Sequence, residues 1–326
     1  MNTGLRITAF AAAIAATFGT AYGVGASIDP VVAGKPPAAH DEHADTEAET
    51  GGEEGGEKAA AGGLQISEGG YTLALDTPRV AAGKPADLRF SVKDDRGRSL
   101  TSYAREHGKE LHFIVASRDL TVYRHLHPTR AADGTWSVAA TLPAAGGYRA
   151  FADFKPAGKG AAGITLGTDL AVSGKSEPAA LPPERATAEV DGYRVTLDGA
   201  LTPGKARELT LSVSRNGEPV TDLQPYLGAY GHLVALRAGD LAYLHVHPNG
   251  EPDDGVTEPG PEVSFTATAP SAGAYRLFLD FRHEGEVRTA AFTVDVPATG
   301  ADTGTGTGEK PSAEPREGEE SPGHGH

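Results

Sequence analysis

The chain of 326 residues contains no cysteine, and its only methionine is Met1. Without thiols it forms no disulfides and no thiolate metal sites, and it carries no lipid on an N-terminal cysteine. Without further thioethers it has no methionine-rich site for Cu(I). Any metal site in this sequence must therefore use imidazole and carboxylate groups, which suit Zn(II) or Cu(II).

Clustered positive charge is also missing. The net charge is −15, and residues 40–58 carry eight acidic residues and one basic residue, while residues 298–326 carry six and two. Eleven of the fifteen net negative charges therefore lie in two low-complexity segments. The remaining chain is only mildly acidic, so no nucleic-acid partner is expected.

The motifs of common enzyme classes are absent as well. The sequence has no Gly-x-Ser-x-Gly, no phosphate-binding loop, no His-Glu-x-x-His and no dinucleotide fingerprint. We therefore expect a protein that is not an enzyme. A metalloenzyme in which a three-histidine zinc site activates water is a third, minor hypothesis.

The N-terminus has the character of a targeting segment. Arg6 is followed by 22 uncharged residues, 7–28, a length that can span a membrane as a helix. Val24-Gly-Ala26 also resembles a signal-peptide cleavage site. Residues 1–29 are thus a signal peptide or an N-terminal membrane anchor. Both alternatives predict an extracytoplasmic protein, secreted or anchored to the membrane through this segment.

The rest of the sequence contains a duplication. A unit that begins Tyr71-Thr-Leu-Ala-Leu-Asp returns as Tyr193-Arg-Val-Thr-Leu-Asp, and each copy is domain-sized. Within each copy, short alternating apolar segments are separated by Gly, Pro, Asp and Asn, which predicts about seven strands and a β-sandwich. Tyr148 and Tyr275 each follow a Gly-containing turn, a pattern typical of the tyrosine corner of immunoglobulin-like domains.

The predicted fold is all-β, with two tandem immunoglobulin-like β-sandwich domains behind an N-terminal hydrophobic helix. The domains are joined and followed by segments too rich in Ala, Gly, Glu and Pro to fold. The expected boundaries are 1–29 for the hydrophobic segment, 30–66 for a disordered acidic linker, 67–174 for sandwich 1, 175–188 for a linker, 189–297 for sandwich 2 and 298–326 for a disordered acidic tail.

Each copy carries three histidines at the same spacing, H-x12-H-x-H-P. Histidines two apart on a strand share a face, about 6.5–7 Å apart, and the third lies on the preceding strand. Three imidazoles can bind a transition metal, so we expect one divalent ion, Cu(II) or Zn(II), in each sandwich. The alternative is that the imidazoles are structural and recur because the domain was duplicated. The candidate ligands are His112, His125, His127, His232, His245 and His247.

A carboxylate also recurs, as Asp153 and Asp280 in two Phe-x-Asp-Phe sequences. It could bind the metal directly or orient a ligating histidine. The alternative is an ion pair with the arginine four residues earlier on the same strand face, Arg149 or Arg276.

The stretch from Lys109 to Pro128, with Gly147-Tyr-Arg-Ala-Phe-Ala-Asp-Phe154, resembles a group of uncharacterised exported bacterial proteins that carry one or two such units. The segments 225–236 and 244–248 look like the second-unit version. The group is distantly similar to exported β-sandwich domains linked to copper or other heavy metals. That resemblance implies metal sequestration or delivery in the cell envelope, with a metal-handling partner there. The competing hypothesis is a non-catalytic structural or protein-interaction module with structural histidines.

Overall fold

A computed structural model describes residues 61–244 and 246–298, and within these ranges the chain folds entirely into strands and loops. The first half of the described chain contributes eleven strands: β1 Ser67–Glu68, β2 Tyr71–Leu75, β3 Arg79–Ala81, β4 Pro85–Lys93, β5 Tyr103–Ala104, β6 Leu111–Ser117, β7 Tyr123–Leu126, β8 Thr129–Arg130, β9 Trp136–Thr141, β10 Gly146–Pro156 and β11 Ile164–Ser173. The expected N-terminal hydrophobic segment and the acidic tail lie outside the described residues.

The second half repeats the pattern with ten strands: β12 Thr187–Val190, β13 Tyr193–Asp198, β14 Ala206–Arg215, β15 Glu218–Pro219, β16 Gly231–Arg237, β17 Tyr243–Leu244, β18 Val246–Pro248, β19 Glu262–Thr268, β20 Gly273–His283 and β21 Glu286–Val296. Among the residues of these two ranges, no helix is long and apolar enough to cross a membrane.

Each half is a sandwich of two sheets. In the first, the sheet β1-β2-β4-β9-β8 faces the sheet β3-β11-β10-β6-β7, and in the second, β12-β13-β14-β19-β18 faces β17-β16-β20-β21. These strand orders correspond to the A-B-E-D and C-F-G sheets of an immunoglobulin domain. The tyrosine corner is present twice, because Tyr148 donates to the Ala144 carbonyl at 2.8 Å and Tyr275 to the Ser271 carbonyl at 2.8 Å. The predicted pair of immunoglobulin-like sandwiches is confirmed.

A third apolar cluster lies between the two sandwich cores, and we call it the interdomain core. It takes equivalent residues from both copies, so that Tyr123 stacks on Phe278 with ring centroids 4.0 Å apart, and Phe151 meets Tyr243 at 5.9 Å. The two sandwiches therefore pack through their β6–β10 and β16–β20 sheets. The buried members of the interdomain core are Ile114, Ala116, Leu120, Tyr123, Phe151, Val234, Leu236, Leu241, Tyr243 and Phe278.

Residues 62–65, which the sequence assigns to the disordered linker, contact both sandwiches, and we call them the strap. Gly62 exchanges two main-chain hydrogen bonds with Tyr243, and the carbonyls of Gly63 and Leu64 accept from the Arg149 guanidinium at 2.7 and 2.8 Å. The strap passes so close to Gly167 that a Cβ there would lie 2.0 Å from the Gly63 oxygen. A glycine in the neighbouring strand thus makes room for this contact.

Candidate metal centre

The clustered histidines lie on the face of each sandwich that meets the other. His112 lies on β6, and His125 lies opposite on β7, where it pairs with Ile114. All seven residues of β6 are buried, because one face of this strand covers the core of its own sandwich and the other covers the second sandwich. A strand buried on both faces carries its histidines into the interface rather than into solvent.

Three imidazoles from two different sandwiches come together there. One nitrogen each of His112, His125 and His232 lies within 4.8 Å of the other two. The His112 and His232 rings stack 5.3 Å apart, and the His125 and His232 rings are 4.8 Å apart. We call these three residues the histidine cluster. Among the described residues, these imidazoles form one group that takes residues from both sandwiches, whereas the sequence led us to expect one site in each sandwich.

The hydrogen bonds at the edge of the histidine cluster set its tautomers. Asp280 of the second sandwich accepts from His125 Nδ1 at 2.8 Å, and the Glu106 carbonyl accepts from His112 Nε2 at 3.3 Å. Since both oxygens only accept, neutral His125 keeps its lone pair on Nε2 and neutral His112 keeps its lone pair on Nδ1. These two atoms face each other 3.1 Å apart. Two lone pairs at this separation repel unless a proton or a cation lies between them.

Burial lowers the pKa of two of these imidazoles. The pKa of His112 is lowered from 6.5 to about 3, first by desolvation and then by the neighbouring His125. Desolvation also lowers the pKa of His232 well below its usual value. A metal can bind only the unprotonated ring nitrogen, so these shifts favour the form of His112 and His232 that can bind an ion at neutral pH.

Two further histidines border the cluster. The His127 ring lies 4.9 Å from that of His125, and desolvation lowers the pKa of His127 to about 4. The His107 ring lies 5.8 Å from that of His232. The Nε2 atoms of His127 and His232 are buried and find no hydrogen-bond partner among the described residues. The sequence alone makes His107 a weaker candidate ligand, because the second copy has no histidine at that position.

His232 and His247, the described members of the second triad, lie on opposite sheets of their sandwich. After β17 the chain leaves the β16 sheet, and β18 pairs with β19 in the opposite sheet of the sandwich. His247 on β18 is consequently exposed, whereas His232 lies among the histidines of the first sandwich. His245 lies outside the described residues. Equal spacing in sequence has thus led to unequal positions, because the two copies change sheets at different points.

The two aspartates occupy matching positions beside the interface. Asp280 accepts from Thr289 Oγ1 at 2.5 Å in addition to His125, and Asp153 accepts from Thr165 Oγ1 at 2.9 Å. Asp280 therefore orients His125, a candidate ligand of the other sandwich, as one of the two roles considered from the sequence would require. Neither arginine forms an ion pair with the aspartate on its own strand. Arg149 pairs with Asp169 instead, and Arg276 donates a hydrogen bond to Thr293.

The residues present fit a divalent transition metal. Two imidazole nitrogens bound to zinc at about 2.0–2.1 Å with tetrahedral angles lie about 3.3 Å apart. The His112 and His125 nitrogens are 3.1 Å apart, and His232 adds a third imidazole with an unpartnered buried nitrogen. All-nitrogen sites of this kind suit Zn(II) and Cu(II). The orienting carboxylate of Asp280 is the usual companion of a ligating histidine.

The fold and the cluster define a class of protein: a tandem immunoglobulin-like module with a histidine cluster at the junction of its two domains. Residues 65–165 and 188–298 each match the family described as Domain of unknown function (DUF8832), so the chain belongs to that family and contains two copies of its domain. No curated protein matches the chain by sequence.

Several solved structures resemble the chain weakly. One is of FdeC, described as a broadly conserved Escherichia coli adhesin, with 16% identity over 71% of this chain and 65% of that one, at a TM-score of 0.22. Another is of invasin, described as a bacterial integrin-binding protein, with 14% identity over 70% of this chain and 39% of that one, also at 0.22. The chain spans less than two thirds of the length of either protein, and likenesses at these TM-scores carry no argument about function.

Proposed function

We propose that the chain is a non-catalytic, extracytoplasmic module that binds one divalent transition metal, Zn(II) or Cu(II), between its two sandwiches. Its role would be sequestration of the ion or delivery to a metal-handling partner of the cell envelope. The observation that carries this proposal is the 3.1 Å distance between His112 Nδ1 and His125 Nε2, two rings whose other nitrogens already contact oxygen acceptors. The hydrophobic N-terminal segment supports export.

Each residue of the site has a part in this function. His112, His125 and His232 would hold the ion, which would accept their lone pairs and so join the two sandwiches. Asp280 holds His125 in the Nδ1–H tautomer and increases the basicity of its Nε2. The surrounding interdomain core excludes water, which strengthens the electrostatic interactions of the site.

The test is a calorimetric titration of the full chain with Zn(II) and with Cu(II). Four histidines of the two terminal segments, His40, His43, His324 and His326, are first replaced by alanine so that they do not bind metal. We expect one ion per chain, lost in His125→Ala and retained in His283→Ala, a control histidine that also pairs with an aspartate, Asp222. Equal retention by both variants would contradict the proposal.

A second candidate function is a structural or protein-interaction module whose histidines only stabilise the domain junction. The stacking of the rings beside the interdomain core favours this alternative, since a shared proton could also bridge His112 and His125. It predicts that the same titration detects no binding, while His125→Ala still lowers the melting temperature.

A further inference from the structure

The two sandwiches differ at a pair of equivalent arginines, Arg149 on β10 and Arg276 on β20. In the first sandwich every nitrogen of the guanidinium has an acceptor. Nε and Nη2 of Arg149 donate to the strap carbonyls, and Nη1 donates to the Asp169 carboxylate at 3.1 Å. A guanidinium that is withdrawn from water needs such partners, because an unpaired buried charge is costly. The first sandwich supplies all of them from its own chain.

Arg276 lacks the partners that Arg149 has. Thr293 faces Arg276 across the β20–β21 pair, where Asp169 faces Arg149, and it accepts only from Nη1, at 3.0 Å. The Nε atom of Arg276 is buried, and neither Nε nor Nη2 has a hydrogen-bond partner among the described residues. No carboxylate of this part of the chain pairs with it. A half-buried positive charge is thus left without a counter-ion.

No segment like the strap can supply the missing acceptor in the second sandwich. Ala291 stands at the position of Gly167, where a Cβ would lie 2.0 Å from the Gly63 oxygen. A main chain therefore cannot approach Arg276 as the strap approaches Arg149. The linker instead meets β21 further along, where the Arg185 N–H donates to the Thr293 carbonyl at 3.4 Å.

Arg276 lines a cavity of about 960 Å³ between the linker, β12 and β21. The lining contains two more arginines, Arg185 and Arg194, and one acid, Glu189, which pairs with Arg194 at 2.8 Å. Arg185 is exposed, and among the described residues its side chain takes part in no ion pair. Two positive charges of the lining therefore remain uncompensated, and they create a potential that attracts an anion.

The Arg276 guanidinium is held in a fixed position. Its Nη1 is tied to Thr293, and its central carbon lies 5.8 Å from the centre of the Phe278 ring. The Nε–Nη2 edge is left, which is the edge that Arg149 presents to the strap carbonyls. Two parallel N–H donors of a planar guanidinium match the two oxygens of a carboxylate. Because the donor is already ordered, binding costs less entropy.

We propose that this cavity binds a small organic dicarboxylate. One carboxylate would accept from the Nε–Nη2 edge of Arg276, and the other would pair with Arg185 on the linker side. Two separate guanidinium groups favour two separate carboxylates over one compact anion such as phosphate. The volume of about 960 Å³ lies in the range of small-molecule sites. No histidine of the cluster lines the cavity, so the inference does not rest on the metal site.

The test is a calorimetric titration of the full chain at constant ionic strength with succinate, glutarate and adipate, which differ in the spacing of their carboxylates. Butyrate is the singly charged counterpart of succinate, and inorganic phosphate is the compact anion. We expect millimolar binding of the best dicarboxylate and at least about tenfold weaker binding of butyrate and phosphate. The NMR signal of the Arg276 Nε–H group should shift on binding.

Variants of the two arginines locate the site. Arg276→Gln and Arg185→Gln should each weaken binding of the best dicarboxylate at least about tenfold, as for a lost charge-assisted pair. Arg282→Gln removes an exposed arginine of β20 outside the cavity and should leave the affinity unchanged. Arg185 is exposed, so its variant keeps the test valid even if Arg276→Gln unfolds, which melting temperatures would show.

Four results would overturn the proposal. They are equal affinity for the best dicarboxylate and butyrate, tighter binding of phosphate than of any dicarboxylate, absence of dicarboxylate binding at millimolar concentration, and unchanged affinity in folded variants of Arg276 and Arg185.

Discussion

At the scale of single residues, two oxygen acceptors decide what the histidine cluster can do. Asp280 and the Glu106 carbonyl each bind one N–H of a histidine, and this leaves the remaining nitrogens of His125 and His112 as opposed acceptors. Without these acceptors, either ring could turn its N–H toward the other and form an ordinary hydrogen bond. The proposed preference for a cation over a simple hydrogen bond therefore depends on residues outside the proposed ligand set.

This argument predicts that Asp280→Asn weakens metal binding even though every ligand remains. An amide still accepts a hydrogen bond but gives His125 less basicity, and loss of such an orienting carboxylate typically costs about 10–100-fold in metal affinity. Asp222→Asn, which changes the aspartate beside His283, serves as the matched control and should leave the affinity unchanged. Equal affinities in both variants and the parent would contradict the role given to Asp280.

The lowered pKa values predict how the metal-free protein responds to acid. His112 and His127 titrate near 3 and 4 in the folded state, against about 6.5 in the unfolded chain. Between pH 6.5 and about 4 the unfolded chain therefore binds more protons, and the free energy of unfolding decreases as the pH falls. In the presence of a chelator, the stability difference between the parent and His112→Asn should shrink across this window. A difference that stays constant with pH would contradict the assignment.

At the scale of elements, the strands and turns can be predicted from the sequence. The layer that packs against the second face of β6 cannot. Alternation predicts the strands, and the Gly-containing turns before Tyr148 and Tyr275 predict the corners that the structure contains. All residues of β6 except His112 and Ser117 are apolar, on both faces of the strand, and this pattern of double burial points to a second covering layer. The pattern of apolar residues alone does not show that the layer covering the second face of β6 is the other sandwich. The site was therefore predicted as two separate triads.

The strap shows a second limit of sequence patterns. Residues 62–65 have no apolar periodicity, so nothing local predicts their order. They are held by main-chain groups, by Arg149 and by the space that Gly167 leaves. In the second sandwich Ala291 stands at the position of Gly167. Arg276, which corresponds to Arg149, has a buried Nε atom without a hydrogen-bond partner among the described residues.

Gly167→Ala is therefore predicted to release the strap. The new methyl group would lie 2.0 Å from the Gly63 oxygen and 2.7 Å from Arg149 Nε, so the strap must move away. We expect faster hydrogen exchange at the Gly62 and Gly63 amides and a loss of about 1–3 kcal/mol in stability, as for a buried polar group left without its partner. Ala291→Gly in the other sandwich is the control and should leave these amides protected. Unchanged exchange in Gly167→Ala would show that the strap contact is unimportant.

At the scale of the whole molecule, the two sandwiches pack against each other rather than lying as separate domains along the chain. Equivalent residues meet across the interdomain core, and the strap and the Asp280–His125 hydrogen bond add polar links between the sandwiches. The sandwiches are therefore expected to unfold together, although each has an apolar core of its own.

A double-mutant cycle across the interface measures this coupling. Tyr123 and Phe278 stack at 4.0 Å, and such aromatic pairs contribute about 0.5–1.5 kcal/mol beyond the area they bury. We expect Tyr123→Ala and Phe278→Ala to show a coupling energy of that size in the free energy of unfolding. Tyr123→Ala with Tyr193→Ala, a tyrosine in the core of the second sandwich, should be additive. Additivity in both pairs would show that the sandwiches do not pack as described.

The most direct test of the account is the number of metal ions bound per chain in proteins altered one sandwich at a time. With His40, His43, His324 and His326 replaced by alanine, zinc content after dialysis is measured for the parent, His112→Ala and His232→Ala. The account predicts one ion in the parent and none in either variant, because the first sandwich contributes His112 and the second His232 to one site. Two ions in the parent, with one lost in each variant, would show that each sandwich has a site of its own.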